Sequence, residues 1–199
     1  MLGSSVAELD LRGRTLVLDN GPRLAFDRVI LATGSRARRL PEEIDRLDNV
    51  ASLRTLSDAR KISSLAALAR SVVILGGGFI GLEIAAALAA VGRKVTVIEL
   101  QDRLLGRVVA PVVSGYVADR LLAGGVRILT GAGIVEFVRE EDRLSAIRIA
   151  SGELIAADIA IVGIGAVPNA ELAVHAGLAM AGGIKVDGTM TTSAPSISL

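Results

Sequence analysis

The sequence predicts an α/β fold with a parallel sheet at its centre, and three observations predict it. Apolar runs of strand length alternate with segments whose apolar residues recur at helical spacing. One stretch, residues 71–101, reads strand, spaced glycines, alanine-rich helix, strand and acid, in that order. Half of the 199 residues are apolar (51%), enough for a buried core, and because aromatics are only 2% that core must be built from Ala, Val, Ile and Leu.

Taken from the start, residues 6–31 read as four short strands: Val6–Leu11, Thr15–Leu18, Arg23–Ala25 and Arg28–Leu31. Turn chemistry separates them at Arg12–Gly13 and Asp19–Asn20–Gly21. The last runs into Ala32–Thr33–Gly34. Residues 35–48 are polar and arginine-rich around Pro41, as in a crossing between domains. Residues 55–70 carry Leu56, Ala59, Ile62, Leu65 and Leu68 at helical spacing, with Ser57 or Asp58 as the cap.

The stretch 71–101 carries the chemistry. An apolar strand, Val72–Leu75, leads into Gly76, Gly78 and Gly81 at the spacing G-x-G-x-x-G. Glycine is common in this chain, so the spacing alone is weak, and the ordered context of strand, glycines, helix, strand and acid is what makes it specific. Gly76 permits a tight turn out of the strand, Gly78 has no Cβ to hold a pyrophosphate off the backbone, and Gly81 lets the helix sit close to the strand. The helix N-terminus offers unpaired N–H groups and about half a positive charge to phosphates. Gly92 ends the helix, and Val95–Ile98 leads into Glu99, about 20 residues beyond the glycines, where a ribose-binding acid belongs. A carboxylate there accepts hydrogen bonds from both ribose hydroxyls and repels a 2′-phosphate, which favours NADH over NADPH; Arg93, Lys94 and Arg103 nearby pull the other way. The competing readings are an ordinary glycine turn and, for so apolar a stretch, a membrane span; the glycine cluster and the strand-like start argue for a buried βα unit.

Beyond it, Val112–Leu122 reads as a helix ended by Gly124–Gly125, Val126–Leu129 as a strand, and residues 134–149 as a β-hairpin around Glu140–Asp142. A strand over Ile155–Val162 leads into Gly163–Ile164–Gly165, with Pro168–Asn169 just after. The remainder reads as a short helix, Ala170–His175, the turn Gly182–Gly183, a strand Ile184–Asp187 and a last strand within Thr191–Leu199. His175, at a helix end, reads as a surface residue.

Two segments follow one template. Gly21 precedes Asp27 by six residues and Asp27 precedes Gly34 by seven; Gly152, Asp158 and Gly165 repeat those spacings. The offset is 131 residues, and it places a first copy's own glycine loop before residue 1. The chain therefore reads as part of a duplicated dinucleotide-binding protein.

Composition narrows the rest. Net charge is +1 and no basic cluster is interleaved with aromatics, which argues against nucleic acid. No membrane anchor or signal peptide is visible, so a cytoplasmic location is the default. With no cysteine and one histidine, there is no disulfide framework, thiolate metal site or CxxC redox pair.

LATGS at 31–35, GGGFIGLE at 76–83, VIE at 97–99, GIGAVPN at 163–169, GI-x-VD at 183–187 and TTSAP at 191–195 resemble the FAD- and NAD(P)-dependent pyridine nucleotide–disulphide oxidoreductase superfamily. The nearest likeness is to its NADH-dependent ferredoxin reductases of the rubredoxin and putidaredoxin type. The resemblance implies a Rossmann-like NAD-binding domain over 46–166, a parallel sheet carrying a β-meander, with partial FAD-domain segments at 1–45 and 167–199. It implies NADH held by Gly76, Gly77, Gly78, Phe79, Ile80, Gly81 and Glu99, with Glu83, Phe79 and the backbone of Gly165 near the nicotinamide, and Thr33 and Gly34 at the edge of the FAD domain. Phe79 and Glu83 also have plain readings, as core filler and as a first-turn acid that suits the helix dipole.

The implied reaction passes a hydride from NADH to FAD and then electrons to a ferredoxin-type iron–sulfur protein, with no protein acid or base needed. Arg36, Arg38 and Arg39 read as a solvated face before they read as a docking site for that acceptor. The resemblance leaves a homodimer open. The superfamily's N-terminal FAD loop, the Gly-Asp pair after TTS-x-P and the C-terminal domain have no counterpart in the 199 residues, so FAD is expected to be absent or weakly held. The alternatives are an NADH oxidase, a nitrite reductase subunit or a CoA-disulphide reductase of the same superfamily, or a non-catalytic nucleotide-binding module.

Overall fold

The computed structural model describes residues 2–199, which divide into two compact units. One contains the residues up to 36 together with 167–199; the other is the continuous run 37–166. In chain order the first elements are β1 (Val6–Asp10), β2 (Thr15–Leu18), β3 (Arg23–Ala25), β4 (Val29–Ile30) and β5 (Ser35–Ala37). Next come α1 (Glu42–Asp45), β6 (Val50–Ser52), α2 (Leu56–Leu68), β7 (Ser71–Leu75), α3 (Phe79–Ala90), β8 (Lys94–Ile98) and α4 (Pro111–Ala123). They are followed by β9 (Arg127–Leu129), β10 (Ile134–Glu140), β11 (Arg143–Ile149), β12 (Leu154–Ala156), β13 (Ile159–Val162) and β14 (Ala166–Pro168). The chain ends with α5 (Glu171–His175) and β15 (Ile197–Ser198).

The unit 37–166 is built on a five-stranded parallel sheet in the order β6-β13-β7-β8-β9. Successive side chains of a strand face opposite ways, and both faces are buried here. Val72, Ile74, Val95, Val97, Ile159 and Ile161 pack with Ile62, Leu82, Ala85 and Leu121 from α2, α3 and α4. Val73, Leu75, Ile98, Ala160 and Val162 pack with Leu144, Ile147, Ile149 and Ile155 of the antiparallel meander β10-β11-β12. Helices thus cover one face and the meander the other. Asn49, 1% exposed, sews the layers together: its Nδ2 donates to the carbonyls of Leu144 (2.7 Å) and Asp158 (2.8 Å), and its Oδ1 accepts from the Leu144 N–H (2.8 Å).

Four local readings need correction. The cap of α2 is Thr55, not Ser57 or Asp58: its hydroxyl accepts from the Asp58 N–H while the Asp58 carboxylate accepts from the Thr55 N–H, a reciprocal capping box. A strict spacing of three drifts around a helix of 3.6 residues per turn, so Leu56 and Leu68 point outward while Ile62 and Ala66 are buried. The run 155–162 is two strands in different sheets, broken at Ala157–Asp158. Residues 184–187 form only isolated bridges, Met180 with Ile184 and Val186 with Thr192, because the Asp187 carboxylate takes the N–H groups of Thr189 and Thr191 and turns the chain. Strand β6, too short and too weakly apolar to read from its residues, exists through its pairing with β13.

In the other unit β1-β2-β3 is an antiparallel meander, and β4 pairs in parallel with β15. Leu9, Leu31, Ala173, Leu178 and Ile197 form its core. The repeat is visible in the backbone. Gly21 and Gly152 share left-handed φ values (+98° and +88°), as do Gly34 and Gly165 (+68° and +110°). The Val29 N–H donates to the carbonyl of Ser196 just before β15 as the Ala160 N–H, its counterpart at the 131-residue offset, donates to that of Asn49 just before β6. Strand β13 is paired on both edges; among the described residues β4 is paired on one.

Candidate dinucleotide-binding site

The site stands at the C-terminal ends of β7 and β8. In this sheet β8 lies on one side of β7 and β13 on the other, so the crevice above β7 is the point where the strand order reverses, the usual ligand position of an open α/β sheet. Gly76 leaves β7 at φ +102°, its N–H on the Ile98 carbonyl (2.8 Å), and a Cβ on it would come within 2.5 Å of the Gly163 oxygen. A Cβ on Gly81 would meet the Gly76 oxygen at 2.5 Å, and one on Gly77 would meet Leu104 at 2.6 Å and the Glu99 carboxylate at 3.1 Å. Gly76 and Gly81 are demanded by the protein's own backbone packing, whereas at Gly77 the atoms in the way are side-chain ends. Gly78 is different: it caps α3 in an extended conformation, and a Cβ there would touch nothing within 4 Å. Its missing side chain opens onto a cavity.

That cavity has a volume of about 530 Å³, within the range of small-molecule sites. It is lined by the glycine loop, Phe79, Glu99–Gln101, Leu105–Val108 and Gly163–Gly165. Its two charged lining residues are Glu99 and Arg107. No side chain caps α3, so the first-turn N–H groups face the crevice without a protein carboxylate or hydroxyl on them. Half-buried Glu99 is held by backbone donors: the Gly77 N–H on one oxygen (2.5 Å) and the Gln101 N–H on the other (2.7 Å). A smaller cavity of about 240 Å³, lined by Ala37, Leu53, Arg54 and Ile80, shares Gly78, Phe79, Gly163 and Gly165 with the first. The two lie on either side of the loop, over β8 and over β13 with β6. The arrangement offers a diphosphate a bare helix N-terminus and offers each half of a dinucleotide a recess.

The structure therefore brings together Gly76, Gly77, Gly78, Phe79, Glu99 and Gly165, with Ile80 in the smaller recess and Gly81 beneath the loop. Phe79 and Ile80 are about half exposed (56% and 50%), so Phe79 is not core filler. Glu83 sits on the exposed side of α3 and lines neither cavity. Thr33 and Gly34 belong to the other unit, where Thr33 lines a cavity of about 480 Å³ with Val6, Val29, Asn169 and Glu171. There the Thr33 hydroxyl donates to the Asn169 carbonyl (2.6 Å), Asn169 Nδ2 donates to the Thr33 carbonyl (2.9 Å), and the Asn169 N–H donates to the Gly34 carbonyl (2.9 Å). Arg36 is bound to Asn169 and Glu171, and Arg39 to Asp45. Residues 104–108 had no signal in the sequence; Leu105 takes a left-handed conformation (φ +53°) with neither Gly nor Asn to announce it.

Asp158 sets the base of β7. Its carboxylate accepts from the N–H groups of Ser71 and Arg70 (2.8 Å each) and from the Ser71 hydroxyl, and these bonds, the Ser71 amide foremost, hold its pKa below the usual value against a smaller opposing desolvation. Among the described residues no three His, Cys, Asp or Glu could hold a metal ion, and no helix is long and apolar enough to cross a membrane.

The chain is 40% identical over 196 residues to a rubredoxin–NAD(+) reductase of Pseudomonas putida, covering 98% of this chain and 51% of that one. It is 39% identical to the ferredoxin–NAD(+) reductase component of a p-cumate 2,3-dioxygenase system from the same species, over 98% of this chain and 48% of the other. Among solved structures, a ferredoxin reductase from Rhodopseudomonas palustris superimposes with a TM-score of 0.92 at 38% identity, over 99% of this chain and 49% of that one. The putidaredoxin reductase of a covalent complex with putidaredoxin gives 0.90 at 37%, over 98% and 48%. The chain thus spans about half the length of the relatives it matches. With the family's description matching residues 1–199, this chain belongs to the pyridine nucleotide–disulphide oxidoreductases.

Proposed function

We propose that the chain binds NADH across the N-terminus of α3, as the nicotinamide-nucleotide module of a reductase that passes electrons through FAD to a ferredoxin-type iron–sulfur protein. The observation that carries this is Gly78, the one glycine of the loop whose side chain the protein leaves room for and a diphosphate would not. Glu99 lies beside it with its carboxylate already aimed by two backbone amides, so it meets the adenosine ribose hydroxyls and disfavours a 2′-phosphate. The nicotinamide half then lies toward Phe79, Gly165 and the smaller recess.

The family implies FAD as well as NAD(H). The cavity beside Thr33 is lined by a carboxylate, Glu171, and within residues 2–36 and 167–199 no helix of two full turns opens on a glycine loop. Those residues alone do not cradle a flavin diphosphate. Bound NADH supplies a hydride from its nicotinamide; this chain's part is to grip the diphosphate, tether the ribose and orient the ring beside Gly165.

The test is a fluorescence titration of the purified chain with NADH and NADPH. NADH is expected to bind and NADPH to bind more weakly. Absence of NADH binding, or equal affinity for both, overturns the reading.

A further inference from the structure

One wall of the larger cavity belongs to neither the glycine loop nor the sheet. It is a strap, residues 103–109, that follows β8 and ends just before α4. Leu104 and Leu105 anchor it in the core (1% and 5% exposed), and the buried Ser114 hydroxyl of α4 donates to the Leu104 carbonyl (2.6 Å). Leu105, in its left-handed conformation, turns its N–H onto the Gly77 carbonyl (2.9 Å), so the strap is tied to the middle of the glycine loop. Beyond Leu105 the strap turns back on itself, the N–H groups of Val108 and Val109 donating to the Leu105 carbonyl (2.9 and 3.2 Å), and one side chain ties down its remaining carbonyls. Arg103 folds over it and donates from one guanidinium nitrogen to the Gly106 carbonyl (2.6 Å) and from another to the Val109 carbonyl (2.9 Å). The residues bracketed by those two bonds include Arg107 and Val108, which line the cavity on the side of Glu99. Arg103 itself lines neither cavity in this unit, and these two guanidinium bonds go to the strap's own backbone.

We propose that Arg103 is a positioning residue that holds the strap closed as the wall against the adenosine half of the dinucleotide, and so sets the affinity for that half alone. The proposal rests on the NADH reading above. A planar guanidinium reaches two carbonyls three residues apart in fixed geometry, which a lysine ammonium cannot reproduce. Removing it leaves the Leu104 and Leu105 anchors, the Ser114 bond and the turn onto the Leu105 carbonyl in place, so the fold survives while the carbonyls of Gly106 and Val109 lose the tie that orders the strap against the cavity. Binding must then restore that order.

The experiment compares wild type, Arg103→Ala and Arg103→Lys, with NADH, 5′-AMP and reduced nicotinamide mononucleotide as ligands and ligand-free thermal unfolding as the control. In the alanine variant NADH and 5′-AMP should each bind about tenfold more weakly. The mononucleotide affinity and the melting temperature should hold, and the lysine variant should recover only part of the loss. Unchanged 5′-AMP affinity in Arg103→Ala, or a loss shared by both half-ligands in step with a lower melting temperature, overturns the proposal. Wild type that fails to bind NADH would instead overturn the reading on which it rests.

Discussion

Gly78 and Gly81 belong to one motif, yet a methyl group added to each should act oppositely. In Gly78→Ala the new carbon meets no protein atom, so unfolding by urea should be unchanged while NADH affinity falls at least about tenfold as the diphosphate is pushed off the backbone. In Gly81→Ala it lands 2.5 Å from the Gly76 oxygen, and overpacking of that kind should cost about 1–3 kcal/mol in the same urea experiment. Asp158 acts through charge. Its folded pKa is depressed, so its contribution is complete above the unfolded value of about 4 and is lost as pH falls from there through the lower folded value. Stability measured against pH should therefore drop below about pH 4 in wild type and drop less steeply in Asp158→Asn. An identical acid limb in the two proteins would show that the bonds to Arg70 and Ser71 carry no pH dependence.

Helix ends and helix interiors make separate predictions. Thr55→Ala removes one arm of the capping box of α2 and should cost about 1 kcal/mol, read by chemical denaturation. Gly115 lies in the interior of α4 with open space around its Cα, so Gly115→Ala should stabilise by about 0.5–1 kcal/mol without affecting NADH binding. The stretch 71–101 was legible as elements because each boundary carries its own chemistry: an apolar run, glycines, alanines, Gly92, a β-branched run. Strand β6 was not legible, since Val50–Ser52 pairs with residues more than 100 positions away and no local residue announces it. The capping residue of α2 was misplaced because Thr55, Ser57 and Asp58 are all competent caps, and which one sits at the turn depends on where the preceding strand delivers the chain.

At the scale of the molecule, the parallel sheet, its meander and its covering helices all lie within residues 37–166, with both core clusters inside that run. A fragment of 37–166 should therefore unfold cooperatively and bind NADH within about threefold of the full chain. The other unit is assembled from two separate stretches of chain around one small core. Among the described residues its β4 carries a partner on one edge while β13, its counterpart at the repeat offset, carries two. Purified chain supplied with FAD should stay without a flavin absorbance band after gel filtration; retention of the band would mean that residues 2–36 and 167–199 grip flavin without a glycine loop.

What could be read from residues alone was whatever short-range chemistry encodes: alternating apolar runs, the glycine spacing with its acid, the repeat of Gly, Asp and Gly, and the motifs that mark the family. What required the folded chain was every relation between distant positions. Folding showed that Gly78 faces space while Gly76, Gly77 and Gly81 face protein, that two backbone amides aim Glu99, that Glu83 is exposed and lines neither cavity, and that residues 105–108 wall the larger one. The physical reason is that a side chain's identity constrains its own backbone over a few residues, whereas what surrounds it depends on how strands far apart in sequence are paired and packed.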